Sequence, residues 1–325
     1  MAKIFISAKV PTSGIQALQQ AGYEPAVYQG AGLITPTELK AGVADAAVLI
    51  TPLSTPVTKD IIDAAPKLRL IANFGAGFNN IDINYAATKA IAVTNTPGVS
   101  TASTAEVTVG LVLALMHRMV EGDRLMRTTG FDGWAPLFFL GHELAGKTLG
   151  IVGMGQIGQA VAKRLHAFGM KIVYTQRHQL DVFTQSKTDA TYLTLAELLK
   201  TADVVSLHAP LTPATQHLLG ANQLALMQPS AYLINAARGP LVDEHALLAQ
   251  LKAGQLAGAA LDVYETEPQL TPGFAELKNV ILTPHIGNAT VEARDAMAKI
   301  VTDNAIAVLN GQAPTAVVNG VVEPK

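Results

Sequence analysis

Cysteine is absent from this chain, and its absence removes several kinds of chemistry. Without a thiol the protein can form no disulfide, no thiolate nucleophile and no cysteine-ligated metal site. A chain without cysteine also suits a reducing compartment, so we expect a cytoplasmic protein. An excess of one charge is lacking too, since the formal net charge is −2 and charged residues make up 15%. Because no basic or acidic block is present, neither nucleic acid nor a membrane surface is expected as a partner.

Long apolar runs are missing as well. The longest stretch, Val107–Met116, is well short of the ~18 apolar residues that would span a bilayer, so it predicts a buried helix. Near the N-terminus, Lys3 and Lys9 interrupt the few apolar residues, which indicates a first strand at Lys3–Ser7 and not a signal peptide. We therefore expect no membrane-spanning segment.

Hydrophobic residues make up 49% of the 325-residue chain, which is enough for two packed cores. A single core stops growing near ~250–300 residues, so two domains are predicted. Short apolar runs alternate with helical patterns, and this alternation predicts an α/β fold of parallel sheets. The predicted strands are Lys3–Ser7, Ala47–Ile50, Leu70–Asn73, Ile91–Thr94, Thr148–Val152, Lys171–Tyr174, Val204–Leu207, Tyr232–Ile234, Ala259–Leu261 and Val280–Leu282. The predicted helices are Gly14–Ala21, Ser103–Met126, Ile157–Phe168, Leu193–Lys200, Glu244–Ala253 and Val291–Leu309.

Two of these helices, Ser103–Met126 and Val291–Leu309, are long and flank the middle of the chain. We expect them to cross between the domains, with the C-terminal tail returning to the first domain. Ser103 and Glu106 have the spacing of a capping box, which predicts that the first of these helices starts at Ser103.

A glycine-rich loop follows the predicted strand at Thr148–Val152. Its sequence, Gly153-Met154-Gly155-Gln156-Ile157-Gly158, reads G-x-G-x-x-G and leads into an apolar-periodic helix. In this strand–turn–helix context the pattern predicts a dinucleotide-binding loop, with the pyrophosphate on the N-terminus of the helix. An ordinary glycine-rich turn is the alternative. Because such a loop normally opens its domain, we predict a dinucleotide-binding domain at residues 100–288, inserted into a second domain of residues 1–99 plus 289–325.

The strand after this loop bears on the choice of cofactor. NAD-binding proteins usually carry an acidic residue ~20 positions downstream, where it binds the 2′-hydroxyl of the adenosine ribose. Gln176 stands where the acid is expected, and Arg177 follows it. An arginine can pair with a 2′-phosphate that an acid would repel, so NADP(H) is predicted as the favoured cofactor, with NAD(H) also usable. A solvated surface cation is the alternative role for Arg177.

An arginine, a glutamate and a histidine follow three later strands. They are Arg238, Glu267 and His285, and the carboxyl ends of parallel strands are where open α/β sheets bind ligands. Reduction of a 2-oxo acid needs a group that holds the carboxylate, a proton donor and a partner that orients the donor. These three residue types can supply those functions, although each taken singly also fits a structural role.

Together with the glycine loop and the segment Asn73–Asp82, these motifs resemble the D-isomer-specific 2-hydroxyacid dehydrogenase family along nearly the whole chain. The arginine at the cofactor strand and the segment Trp134-Ala135-Pro136 are most similar to its glyoxylate/hydroxypyruvate reductases. The resemblance implies two doubly wound parallel-sheet domains, with a Rossmann dinucleotide-binding domain inserted into a flavodoxin-like substrate domain. It also implies a D-2-hydroxy acid product, a small 2-oxo acid substrate and a homodimer formed through the Ser103–Leu140 region.

The resemblance further implies roles for individual residues. Arg238 would hold the substrate carboxylate, His285 would be the general acid in reduction, and Glu267 would orient His285. The backbone N–H groups of Ala76 and Gly77 would bind the same carboxylate. The residues implied to contact the cofactor are Gly153, Gly155, Gln156, Ile157, Gly158, Gln176, Arg177, His178, Ala209, Pro210, Thr215, Ala236, Asp262, Gly287 and Thr104. For Thr104, a place in a helix cap is the alternative.

Some features depart from the family pattern or leave its chemistry open. Asn288 stands where the family usually has serine, which can shift the substrate preference. The aromatic segment Trp134–Leu140 can either shape the substrate site or pack in a dimer core. The histidines other than His285 show no metal-ligand arrangement, so no catalytic metal is predicted.

Two other functions remain as alternatives. A phosphite-type dehydrogenase of the same family would keep Arg238, Glu267 and His285, whereas the formate-type enzymes pair the histidine with glutamine. A dinucleotide-sensing, corepressor-like binding protein would share the fold but usually carries extra tails, and this chain ends at Lys325 soon after its last helix. Oxidation of the reduced cofactor by a 2-oxo acid would distinguish the enzyme from the sensor.

Overall fold

A computed structural model describes residues 3–324, without the side chain of Lys187, and divides the chain into two compact units. One unit extends to Ser100 and resumes at Thr290, and the other comprises Thr101–Ala289. The strands are β1 Lys3–Ile6, β2 Ala26–Val27, β3 Ala46–Pro52, β4 Leu70–Phe74, β5 Ala92–Thr94, β6 Thr148–Val152, β7 Lys171–Thr175, β8 Ala190–Tyr192, β9 Val204–Leu207, β10 Tyr232–Asn235, β11 Gly258–Leu261 and β12 Val280–Leu282. The helices are α1 Thr12–Gln20, α2 Pro36–Val43, α3 Lys59–Asp63, α4 Ile83–Thr88, α5 Thr101–Met116, α6 Met119–Thr128, α7 Gln156–His166, α8 Val182–Thr188, α9 Leu195–Thr201, α10 Ala221–Leu224, α11 Glu244–Lys252 and α12 Val291–Leu309.

The unit that contains the N-terminal strands is built on a five-stranded parallel sheet in the order β2-β1-β3-β4-β5. That is the order of flavodoxin-like folds. Neighbouring residues of β3 point to opposite faces, since Val48 packs with Met297 of α12 whereas Leu49 packs with Leu39 of α2. Both faces are therefore covered by helices, which explains why β3 is apolar along most of its length.

The other unit is built on a seven-stranded sheet in the order β12-β11-β10-β9-β6-β7-β8, and all of its pairings are parallel. This is the Rossmann order with one further strand at the β11 edge. Ile151 faces α7, where it packs with Val161, and Val152 faces α9, where it packs with Leu198. The predicted fold class, two doubly wound α/β units with the Rossmann unit inserted into a flavodoxin-like one, is confirmed.

The region between Thr101 and Thr128 differs from the prediction of one helix at Ser103–Met126. Helix α5 ends at Met116 and α6 begins at Met119. The chain bends by 62° at the break between the two helices. The break lies at Arg118, whose φ of +55° is left-handed and cannot continue a right-handed helix. The capping-box prediction was wrong too, because α5 begins at Thr101 and Ser103 lies buried inside it.

Helix α5 belongs to the core of its unit, whereas α6 has no buried residue. Val112 and Leu115 of α5 pack against the sheet together with Leu149 of β6. Across residues 3–324 no single helix is long and apolar enough to cross a membrane. Helices α5 and α6 together have sufficient length and apolar content, but the chain bends sharply between them.

Two short strands escaped the sequence prediction. Strands β2 and β8 are 2 and 3 residues long, and each lies at the edge of its sheet. A run that short carries no hydrophobic period, so the pattern gives no signal there. The longer strands were located well, and β6, β9 and β12 have the predicted bounds.

Candidate active site

Most predicted site residues of the Rossmann unit lie just beyond the carboxyl ends of its strands. All strands of this sheet are parallel, so the loops that follow them emerge together. The residues that follow the strands are Gly153 after β6, Gln176 after β7, Ala209 after β9, Ala236 and Arg238 after β10, Asp262 after β11, and His285 after β12. The predicted cofactor and catalytic residues are thus assembled by strand direction alone.

The three glycines of the G-x-G-x-x-G loop have different surroundings. Gly153 has a φ of +98°, and a Cβ there would lie 2.7 Å from the backbone nitrogen of Ala209. A Cβ on Gly158 would lie 2.3 Å from the carbonyl oxygen of Gly153. Gly155 is exposed, and its Cβ position has no neighbouring heavy atom within 4 Å. The protein's own packing therefore requires Gly153 and Gly158, whereas Gly155 leaves space for a ligand to approach the backbone.

Helix α7 begins directly at this loop. Gly155 is its N-cap, no side chain caps the helix, and Gln156 and Ile157 form the start of its first turn. The first N–H groups of a helix have no intrahelical acceptor, and the helix dipole adds positive potential there. Since the open space beside Gly155 adjoins these donors, the loop fits the pyrophosphate of the dinucleotide that its sequence predicts.

The loop after β7 presents positive charge. Gln176 turns back onto the glycine loop, where its Oε1 accepts a hydrogen bond from the N–H of Met154 at 3.0 Å. Arg177 and His178 are exposed, and Nε of Arg177 lies 3.1 Å from Nε2 of His178. Asp181 caps α8 by accepting a hydrogen bond from the backbone of that helix. Within the described part of the chain, Arg177 has no carboxylate partner.

The loop after β9 holds Ala209, Pro210 and Thr215. The hydroxyl of Thr215 donates to the carbonyl of Pro210 at 2.7 Å, so it closes this loop on itself. His208, which the sequence analysis did not select, lies beside them with Nε2 at 2.8 Å from Oγ of Ser206. Burial lowers the pKa of His208 to about 4, so its ring is uncharged at neutral pH.

Arg238 lies in a turn that Asn235 holds together. The buried Asn235 side chain accepts from the N–H of Ala237 at 3.1 Å and donates to the carbonyl of Arg238 at 2.9 Å. Burial lowers the pKa of Arg238, and the negative charge of Glu267 opposes that change. Among the described residues the guanidinium bonds only to the carbonyl of Ala237, at 2.6 Å. Most of its N–H donors therefore remain available to an anion.

His285 and Glu267 form a hydrogen-bonded pair. Nδ1 of His285 lies 2.9 Å from Oε2 of Glu267, whose Oε1 accepts from the N–H of Tyr264 at 3.0 Å. Burial favours a higher pKa for Glu267, but the hydrogen bond and charge of His285 outweigh it and lower the pKa of this carboxyl. No bond to Nε2 of His285 is formed within residues 3–324, so this nitrogen can serve a ligand.

The loop that carries His285 is held by Asp262. Asp262 is fully buried and accepts hydrogen bonds from the hydroxyl of Thr283 at 2.6 Å and from the N–H groups of Ile286 and Gly287, each at 2.8 Å. His285 lies inside this loop with a left-handed φ of +53°. The sequence analysis missed this role of Asp262, because nothing in the sequence pairs residue 262 with 286. Its contact with a cofactor stays a prediction.

Thr104 and Gly287 are neighbours. Thr104 lies buried inside α5, so the alternative that places it in a helix cap is wrong. A Cβ on Gly287 would lie 3.4 Å from Cγ2 of Thr104 and 3.2 Å from Oδ2 of Asp262. Ala236 is buried, with 9% of its surface exposed. The structure therefore brings Gly287 and Thr104 together, while contacts of these residues with a cofactor stay predictions.

The loop after β4 contains Ala76 and Gly77. The carbonyl of Ala76 accepts from the side-chain amide of Asn95 at 2.7 Å, and that of Gly77 accepts from Asn73 at 2.7 Å. The carbonyl of Gly75 accepts from Asn73 as well, at 3.1 Å. In the described structure the N–H groups of Ala76 and Gly77 have no acceptor. A loop whose carbonyls are bound and whose amides are free can receive a carboxylate.

No metal site accompanies these groups in residues 3–324, where no cluster of at least three histidine, aspartate or glutamate side chains could hold an ion.

Comparisons with known proteins bear on the family and the fold of this chain. The profile of the family named D-isomer specific 2-hydroxyacid dehydrogenase, NAD binding domain, matches residues 109–287. A Staphylococcus haemolyticus protein with the provisional name 2-hydroxyacid dehydrogenase is 52% identical over 98% of this chain and 100% of its own length. The crystal structure of a Thermus thermophilus protein is 42% identical, covers 97% of this chain and 99% of its own, and has a TM-score of 0.91. The NADPH-dependent glyoxylate/hydroxypyruvate reductase of Sinorhizobium meliloti, solved with NADP and malonate, is 30% identical with a TM-score of 0.84 and covers 100% of this chain and 98% of its own.

Alanine substitutions in the glycine loop test the separate roles of its glycines. Gly158→Ala should lower the melting temperature, because its Cβ would meet the carbonyl of Gly153 at 2.3 Å. Gly155→Ala should keep the melting temperature, because its Cβ meets no protein atom, but should weaken dinucleotide binding ~10-fold, or about 1.4 kcal/mol. Fluorescence titration with NADPH and NADH and thermal unfolding measure the two effects. Unchanged binding by Gly155→Ala would remove this loop from the cofactor site.

Proposed function

Because this chain belongs to the family of D-isomer specific 2-hydroxyacid dehydrogenases, which use a nicotinamide dinucleotide, we propose that it reduces a small 2-oxo acid of the glyoxylate or hydroxypyruvate type. The observation that carries the proposal is the hydrogen bond of 2.9 Å between Nδ1 of His285 and Oε2 of Glu267. Like Arg238, both residues follow the carboxyl ends of strands in the seven-stranded sheet. The product is the corresponding D-2-hydroxy acid. We further propose that the unit containing β1–β5 binds the substrate and the Rossmann unit binds the cofactor.

The proposed holder of the substrate carboxylate in the Rossmann unit is Arg238. Arg238 has N–H donors to spare, and a guanidinium matches a carboxylate with two parallel hydrogen bonds. In the other unit, Ala76 and Gly77 have free N–H groups, and the family resemblance implies that these groups bind a substrate carboxylate. Partial burial of Arg238 strengthens the interaction, because the arginine charge is less screened by water.

His285 is the proton donor. Its Nδ1 faces Glu267, so Nε2 is the nitrogen that delivers the proton to the substrate carbonyl oxygen. The carboxylate of Glu267 stabilises the imidazolium before transfer and fixes the orientation of the ring. NAD(P)H, held by the glycine loop and the N-terminus of α7, would supply the hydride for the carbonyl carbon. Hydride and proton together convert the C=O group to CH–OH, and His285 regains its proton from solvent.

Turnover by the wild type and by a histidine variant tests this function. The wild type should oxidise NADPH or NADH in the presence of glyoxylate or hydroxypyruvate. His285→Ala should lower kcat by ~10²–10⁴, because a positioned proton donor is lost. His166→Ala, which removes an exposed histidine of α7, is the matched control and should turn over like the wild type. Absorbance of the reduced cofactor measures all three proteins.

Failure with every 2-oxo acid would contradict the proposal. Phosphite-dependent reduction of NAD(P)+ under the same conditions would assign the alternative chemistry within this family. Wild-type kcat in His285→Ala would remove His285 from the reaction.

We propose that NADP(H) is preferred over NAD(H). Gln176 carries no charge, and its Oε1 is bound to the N–H of Met154, which leaves Arg177 as the charged group at the end of β7. His178 adds a second nitrogen-bearing side chain beside it. A 2′-phosphate would gain a charge-assisted hydrogen bond with Arg177, whereas a 2′-hydroxyl would gain less.

Exchange of these residues should reverse the preference. Gln176→Asp combined with Arg177→Ser should favour NADH, because the new carboxylate accepts from the ribose hydroxyls and repels the 2′-phosphate. We expect the kcat/KM ratio of NADPH to NADH to fall ~100-fold, or about 2.7 kcal/mol. Lys200→Ser, which removes an exposed cation from α9, should leave the ratio unchanged. An unchanged ratio in the double variant would show that Arg177 does not read the phosphate.

We also propose that the protein is a homodimer formed through the Ser103–Leu140 region. Supporting this, many exposed large apolar side chains of the described chain lie between residues 119 and 140. They are Met119, Val120, Met126, Phe131, Trp134, Leu137, Phe138 and Leu140. Trp134 and Leu137 are each 84% exposed, and Phe131 stacks on Phe138 with ring centroids 5.8 Å apart. A concentration of exposed apolar side chains is typical of a protein contact.

Charge introduced into this surface should separate the subunits. Leu137→Asp should convert a dimer into a monomer, because burial of an unpaired carboxylate is unfavourable. Val182→Asp, at an 85% exposed apolar residue of α8, is the control and should stay dimeric. Sedimentation velocity measures the mass of each protein. A monomeric wild type, or a dimeric Leu137→Asp variant, would contradict this assignment of the surface.

A further inference from the structure

A polar network lies under the loops that carry Arg238 and Glu267. The first residue of α11, Glu244, is 2% exposed, and its Oε1 accepts from the N–H of Glu265 at 2.9 Å. In return, Oε2 of Glu265 accepts from the N–H of Glu244 at 3.1 Å. Two segments distant in sequence thus exchange side-chain-to-backbone hydrogen bonds in both directions.

Further contacts close the network at both ends. The second carboxylate oxygen of Glu244 accepts from the hydroxyl of Thr271, and Oε1 of Glu265 pairs with Nε2 of His217. His217 has a left-handed φ of +48°, and its N–H donates to the carbonyl of Pro240 at 2.7 Å. The network therefore joins the chain just after Arg238 to the segment that leads into Glu267.

The two loops also touch through their backbones. A Cβ on Gly239, the residue after Arg238, would lie 1.9 Å from the carbonyl carbon of Tyr264. Tyr264 in turn donates its hydroxyl to the carbonyl of Thr283 at 2.8 Å, in the segment that carries His285. Any change in the hydrogen bonds between Glu244 and Glu265 would therefore be transmitted to all three predicted catalytic residues.

Stability alone does not account for this arrangement. Burial raises the pKa of Glu244, and the hydrogen bonds from Thr271 and from the N–H of Glu265 offset this only in part. Buried charged groups are often no more stabilising than apolar residues of similar volume. Directional hydrogen bonds to fixed N–H groups do, however, set the position of a loop more narrowly than apolar contacts do.

We propose that Glu244, Glu265 and His217 are positioning residues that fix the loop of Arg238 relative to the loop of Glu267 and His285. Through them the substrate carboxylate is held at the correct distance from the proton donor. This inference rests on the proposed reduction of a 2-oxo acid for its kinetic consequence, but its structural consequence does not depend on any activity.

Glu265→Ala tests the kinetic consequence. With cofactor saturating, we expect KM for the 2-oxo acid to rise ~10-fold and kcat to fall ~10-fold, because a misplacement of ~1 Å can cost up to ~100-fold in rate. Glu265→Gln should recover most of both, since its amide oxygen can accept from Glu244 and its amide N–H can donate to neutral His217. Glu276→Ala, at an exposed glutamate further along the chain, should behave as the wild type. Wild-type KM and kcat in Glu265→Ala would overturn the proposal, even with a lowered melting temperature.

Amide hydrogen exchange of the cofactor-loaded protein tests the structural consequence. It can be measured even if the wild type shows no turnover of a 2-oxo acid. In Glu265→Ala, the amides of segments 238–244 and 264–267 should exchange faster together. Faster exchange confined to 264–267 would overturn the proposal, whereas absence of wild-type turnover would defeat only the proposed function. If Glu265→Ala does not fold, His217→Ala provides the test. It removes only the contact between His217 and Glu265 and should raise the amide exchange rate in both segments. Unchanged exchange in His217→Ala would then overturn the proposal.

Discussion

Every strand of the seven-stranded sheet runs in the same direction, and the site depends on this constraint. Each strand delivers the loop that follows it to one edge, so groups far apart in sequence meet without any long connection. The glycine loop after β6 and His285, the proposed proton donor after β12, are placed in this way. Helices on both faces keep the strands dry, so polar groups gather where the strands end, and the predicted site residues follow the carboxyl ends.

Polar groups beneath the loops then determine how each loop is shaped. Asp262 accepts hydrogen bonds from two backbone N–H groups of the segment that carries His285. The side chain of Asn235 accepts from the N–H of Ala237 and donates to the carbonyl of Arg238. His285 itself has a left-handed φ, a conformation that is costly for a residue with a Cβ and that the bonds to Asp262 hold in place. These bonds fix the backbone of the loop, which would lower the reorganisation needed for the proposed proton transfer.

The sequence was most informative where a period or a motif encodes the structure. Alternating apolar runs located β6, β9 and β12 with their observed bounds, and the glycine spacing located the start of α7. The sequence failed where one residue interrupts a pattern or where partners are distant. Arg118 breaks a helix through its φ angle, although the apolar pattern continues on both sides of it. The partners of Asp262 are 24 and 25 residues away, and no local spacing predicts such bonds.

The same distinction separates what stabilises the fold from what sets the chemistry. Apolar contacts between helices and sheets tolerate small shifts, because dispersion and burial change gradually with position. A hydrogen bond from one N–H group to a carboxylate does not tolerate them, because it weakens steeply with distance and angle. The described carboxylates of Asp262, Glu244 and Glu265 each bind backbone N–H groups of another loop. The loops that carry Arg238, Glu267 and His285 are therefore joined by charged groups, although apolar residues could fill the same volume.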